Sequence, residues 1–138
     1  MALWIFATFF TVALSAPTPH FLLLFLDDHG WGDMGAYNPS TKETPNMDRL
    51  ARSGMRFTDF HAGTSVCTPS RAAILTGRLG LRTGVTTNFL PPSIGGLPIE
   101  EFVLPELLPA SYESHMIGKW HLGTHPPFHP SYRGFKSY

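Results

Sequence analysis

From Phe21 to Leu26 every side chain is apolar, and two acids, Asp27 and Asp28, end the run. Unbroken apolarity without a polar alternate predicts a strand covered on both faces, as in a parallel α/β sheet. Pro45 to Ser53 has helical spacing instead. Thr44 is placed to cap it, Pro45 takes the first position, Met47, Leu50 and Ala51 share a face, and Gly54 stops it. Met55 to Thr58 alternates like a short strand. A second helix is expected from near Thr68 through Ala72, Ala73, Ile74 and Leu75, with Pro69 in its first turn and Gly77 as a left-handed cap. Gly80 to Pro98 carries turn residues and no period, which predicts loop. Leu104 to Leu108 starts as a helix with Pro105 near its first position, and Pro109 cuts it short. His115 to His121 reads as a further strand, followed by a tail rich in Gly and Pro. Strands alternating with helices predict a parallel α/β layout.

The first residues change the cellular picture. Leu3 to Leu14 is almost wholly apolar and is followed by Ser15 and Ala16, the pattern of a secretory leader over 1–16. The apolar stretch falls short of the roughly 20 residues needed to span a bilayer, so a membrane span is not expected. Residues 17–138 remain, enough for one small domain. The formal net charge is zero, which offers nothing to nucleic acid or an anionic surface. With 13 Gly and 13 Pro among 138 residues, a loop-rich globular protein fits better than a bundle or a disordered tail.

A single cysteine, Cys67, stands in a chain that looks secreted, so it has no partner for an internal disulfide. It opens the run Cys67, Thr68, Pro69, Ser70, Arg71, at the start of the second expected helix. A helix start presents unpaired N–H groups and the positive end of the dipole, which favour an anion. Arg71 lies one turn on along the same face, where its guanidinium can reach back toward position 67. The alternative is a buried thiol packed as a small hydrophobe. The polar neighbours Ser65, Thr68 and Ser70 count against that, and the five residues alone leave the two readings even.

Asp27 and Asp28 close the first expected strand, at the edge where open α/β sheets bind ligands. Adjacent carboxylates repel unless a cation sits beside them, and a hard ion such as Ca²⁺ takes several oxygen ligands. A pair of turn-forming acids is the ordinary alternative. Lys119 and His121, two apart at the end of an expected strand, project from one face while Trp120 takes the other. A cation for an anionic oxygen beside an imidazole for proton transfer makes a usable catalytic pair. A solvated strand end is the ordinary alternative here too.

Taken together, these segments resemble the sulfatase family. The stretch from Leu24 to Asp33 resembles its opening strand and metal motif, and Thr44 to Leu50 the helix that follows. Cys67 to Arg78 matches the signature Cys-x-Pro-Ser-Arg-x-x-x-x-Thr-Gly-Arg, and Gly118 to Gly123 matches a second signature. Within the family, loop wording at Lys42 to Pro45, Gly95 to Pro98, Leu104 to Leu108 and Phe128 to Pro130 is most like the N-acetylgalactosamine-6-sulfatase branch. The arylsulfatase A and G branch comes second.

The resemblance implies an alkaline-phosphatase-like α/β fold, a mostly parallel sheet flanked by helices, of which residues 17–138 are the N-terminal part. It implies that Cys67 is oxidised to formylglycine by the formylglycine-generating enzyme, and that Asp27, Asp28 and the modified Cys67 bind one Ca²⁺. Arg71 would support the formylglycine, Lys119 hold the substrate sulfate and His121 exchange a proton with the aldehyde hydrate. One hydroxyl of the hydrate attacks sulfur and the alcohol leaves; the other then expels sulfate and regenerates the aldehyde. The implied substrates are aryl sulfates or sulfated sugars such as glycosaminoglycans, in a lysosomal or extracellular setting, with a homodimer for the full-length protein. Further metal ligands, a leaving-group acid and a second Lys would come from beyond Tyr138. Two other readings stay open: a non-catalytic truncated product, and a phosphatase or phosphodiesterase of the same superfold.

Overall fold

The computed structural model describes residues 18–138; the leader expected over 1–16 lies outside them. Helix α1 spans Pro45–Ser53 and α2 spans Cys67–Thr76. Two single-turn helices follow, α3 (Gly80–Thr83) and α4 (Leu104–Leu107). Strand β1 (Ser114–His115) pairs in parallel with β2 (Phe135–Ser137). Short 3-10 turns occupy Trp31–Asp33 and Pro130–Tyr132. Helices beside a parallel pair make the layout α/β. Among the described residues no helix is long and apolar enough to cross a membrane.

Both longer helices form where their end signals stand. Pro45 opens α1 and Gly54 closes it, although Gly54 is extended (φ −123°) and not left-handed. Thr44 is tied into side-chain bonds: its hydroxyl donates to Asp48 and accepts from the Gly35 N–H, both at 2.9 Å. Asp48 also takes the Ala36 N–H at 2.9 Å, which docks the 30–38 loop onto α1. Helix α2 starts at Cys67, one residue before the expected Thr68. It ends at Gly77, whose φ of 67° suits a residue without Cβ.

The expected strands fare differently. Phe21 to Leu26 has no ladder partner, and its side chains are 42% to 84% exposed. Met55 to Thr58 is irregular. The strand expected over His115 to His121 ends at His115, because the last ladder bond is Met116 N–H to Ser137 O (3.0 Å) and the backbone then turns left-handed at Gly118 (φ 114°) and His121 (φ 58°). The strand β2, in the tail, carried no alternating signal. An apolar run gives a segment something to bury, whereas a strand exists only when a second segment supplies N–H and C=O partners in register.

The core gathers Ala72 of α2 with Val85, Leu97, Val103, Trp120 and Leu122. Trp120 is 3% exposed; its indole N–H donates to Phe128 O (3.0 Å) and its ring meets the edge of Phe135 at 5.9 Å. Arg133, 2% exposed, bonds Glu106 at 2.9 Å and the carbonyl oxygens of Leu97 and Glu101. The tail is thus locked to α4, and through β2 it holds β1, just ahead of Lys119.

Candidate active site

Cys67 is the first residue of α2, half-buried, with its thiol 3.8 Å from Oδ1 of Asp27. Arg71 lies one turn on and is 7% exposed. Its guanidinium forks: Nη2 sits 3.3 Å from Asp27 Oδ1, while Nη1 donates to the carbonyl of Lys119 at 2.6 Å. The ring of Phe25 lies 5.3 Å from its Cζ, a cation–π contact. The ammonium of Lys119 meets the other oxygen of Asp27 at 3.1 Å. Residues 27, 67, 71 and 119 therefore meet at one point, although the last lies 92 residues from the first.

This packing sets the charges. The hydrogen bond from Lys119, with Arg71 adding to it, holds the Asp27 carboxyl below its ordinary value against partial desolvation. Asp27 in turn raises the Lys119 ammonium, and a contact with Cys67 adds to that. Both groups stay ionised at neutral pH.

The start of α2 is less open to anions than its sequence suggests. The Thr68 N–H is taken by the side chain of Asn88 at 2.8 Å, Pro69 has none, and Ser70 N–H bonds Val66 O at 3.1 Å. The charges around Cys67 are therefore those of side chains, the cations of Arg71 and Lys119 and the carboxylates of Asp27 and Asp28.

His121 does not share a strand face with Lys119, since the strand ends before either. Its Nε2 is 3.0 Å from Phe89 O, and its backbone carbonyl accepts from the Thr68 hydroxyl at 3.0 Å. It thus reaches the site through the residue next to Cys67. Thr68, Asn88 and Phe89 are the parts that sequence reasoning missed. Each of their four contacts uses a backbone group on one side, which almost every residue carries and no motif marks.

One ligand atom from each of Asp27, Asp28 and Cys67 falls within 4.8 Å of the others. Asp28 sits at φ 52°, a left-handed conformation that Asp adopts more readily than most non-glycine residues. Two hard carboxylates converging beside a third donor fit a divalent cation such as Ca²⁺, which would take further oxygen ligands. A cavity of about 560 Å³ opens on this side, lined by Asp27, Asp28, Cys67 and Arg71 together with Phe60 and His61. That volume is within the range of small-molecule sites. Lys119 and His121 lie outside its lining.

The geometry and the signatures agree with a match over residues 19–138 to the family model described as Sulfatase: the chain belongs to the sulfatase family. Among its relatives, arylsulfatase G of Canis lupus familiaris is 58% identical over 121 residues, covering 87% of this chain and 23% of the relative. N-acetylgalactosamine-6-sulfatase of Sus scrofa is 53% identical over 126 residues, covering 85% and 24%. Both branches expected from the loops are represented, with the higher identity on the arylsulfatase G side. The crystal structure of Ps i-CgsB superposes with a TM-score of 0.76 at 38% identity, covering 80% of this chain and 25% of that one. The same protein has been solved in complex with k-i-k-neocarrahexaose. The chain spans about a quarter of the length of these relatives.

Proposed function

We propose that this chain is the N-terminal part of the catalytic centre of a calcium-dependent sulfatase that hydrolyses sulfate esters. One observation carries the reading: the carboxylate of Asp27, the thiol of Cys67 and the cations of Arg71 and Lys119 converge from distant parts of the sequence. A thiol packed merely as a small hydrophobe would not collect two cations and a metal-sized carboxylate pair.

In the active protein the Cys67 sulfur stands where a formylglycine hydrate would, made in the secretory pathway by the formylglycine-generating enzyme. Bound calcium would supply fixed positive charge for sulfate oxygens, and the hydrated aldehyde a hydroxyl able to attack sulfur. The chain's own residues do the rest. Asp27 and Asp28 hold the ion, and Arg71 braces Asp27 while fixing the Lys119 backbone. Lys119 presents its ammonium to the substrate sulfate, and His121 moves a proton. The names of the relatives, and the hexaose bound by Ps i-CgsB, support sulfated sugars or aryl sulfates as substrates, in a lysosomal or extracellular setting. A leader over 1–16 and a homodimer of the longer protein complete the reading.

The test is made on the intact protein secreted from eukaryotic cells. Mass spectrometry of the Cys67 peptide should show an aldehyde, and an aryl sulfate should be turned over while the matching phosphate is not. An unmodified thiol, or a Cys67→Ser variant as fast as the parent, defeats the proposal. Preference for the phosphate ester would favour phosphatase chemistry on the same fold.

A further inference from the structure

Thr68, one residue past Cys67, is fully buried and closes a ring of three hydrogen bonds. Its hydroxyl donates to the carbonyl of His121 at 3.0 Å. The imidazole of His121 faces the carbonyl of Phe89 through Nε2 at 3.0 Å. The Phe89 N–H returns to the Thr68 hydroxyl at 3.3 Å. A carbonyl only accepts, so Nε2 must carry a proton in that contact. Neutral His121 is then the Nε2–H tautomer, with its lone pair on Nδ1. That atom is shut off from water and has no partner among the described residues, which is unusual for a buried polar group.

His121 also holds φ 58°, a strained state that persists only where neighbouring bonds enforce it. The Thr68 hydroxyl bonds the carbonyl of that same residue, and Asn88 braces Thr68 from behind by capping its N–H.

We propose that Thr68 is a positioning residue: through its hydroxyl and the Phe89 peptide it fixes the tautomer and orientation of His121 relative to Cys67. This rests on the catalytic reading of Cys67 and His121 given above. The position requires a hydroxyl that donates and accepts at once. Serine retains that, whereas valine keeps the shape and loses both bonds.

The experiment uses the intact protein with isotope-labelled histidine. Imidazole nitrogen chemical shifts of His121, assigned by their loss in His121→Gln, should report the Nε2–H tautomer in the parent and in Thr68→Ser. Thr68→Val should shift toward the other tautomer. It should lower kcat roughly tenfold or more with KM within about twofold, at equal conversion of Cys67 by mass spectrometry, and Thr68→Ser should recover most of the rate. Finding Nδ1–H in the unsubstituted protein overturns the proposal whatever the Thr68 variants do. Parental shifts and kcat in Thr68→Val overturn it too. A changed tautomer with unchanged kcat bears out the ring and overturns the assignment of His121 to catalysis on which the proposal rests.

Discussion

Replacing Glu106 with Gln removes the charge from one side of a buried ion pair while keeping the side chain's size. Arg133 is 2% exposed, and it meets Glu106 through Nε at 2.9 Å and Nη2 at 3.3 Å. Its remaining partners, the carbonyl oxygens of Leu97 and Glu101, carry no formal charge. Glu106 also accepts from the Val103 N–H at 2.8 Å. One substitution therefore removes the charge from the acceptor of three bonds and turns one of its two oxygens into an NH2 donor, which cannot accept from Arg133 or Val103. A bond to a charged group is worth about 1.5–3 kcal/mol, and at least one of the three is lost. The expected loss is about 3 kcal/mol, at the low end of the roughly 3–5 kcal/mol for breaking a buried pair. The Glu106 side chain is 22% exposed, so water tempers the effect. Urea unfolding of the intact protein, followed by tryptophan fluorescence, should show a lower midpoint at unchanged slope. Lys136→Met, which breaks an exposed pair with Glu113, should leave the midpoint in place. If Glu106→Gln unfolds at the parental urea concentration, the charge on Glu106 is not what keeps Arg133 buried.

Lys119→Met should raise the Asp27 pKa toward its ordinary value, read by carboxyl NMR in metal-free protein. A depressed folded-state pKa stabilises above the unfolded value and loses that contribution as pH falls through the folded one, so the substitution should lower stability at neutral pH and shrink the loss seen on acidification; an unchanged difference between neutral and acid stability would refute it. Asp28→Asn should weaken Ca²⁺ binding in calorimetry by tenfold or more, since one hard anionic ligand is lost; unchanged affinity would place the ion elsewhere. Gly123→Ala should destabilise by roughly 1–3 kcal/mol, because φ is 117° and a Cβ there would fall 2.4 Å from that of Phe128. Thermal unfolding checks it, and a neutral result would mean that the loop after His121 yields without cost.

Local signals sufficed for the longer helices. Pro45, Pro69 and Gly77 act within a turn of where they stand, so α1 and α2 could be bounded to within a residue. The relation of Cys67 to Arg71 is equally local, one turn on one face. The apolar run from Phe21 to Leu26 told of burial but not of pairing. The alternation read into His115–His121 was overruled by the left-handed residues Gly118 and His121.

What the sequence determined by itself is the stock of reactive groups: a lone cysteine at a helix start, an arginine one turn on, paired acids, and a lysine near a histidine. Only the tertiary structure decided that Asp27 lies between Arg71 and Lys119, and that Thr68, Asn88 and the Phe89 peptide connect His121 to the cysteine's helix. The reason is physical. Helix ends depend on dihedral and side-chain preferences of a few neighbouring residues, whereas ion pairs and peptide hydrogen bonds across tens of residues depend on how the whole chain closes, and backbone groups are the same at almost every position.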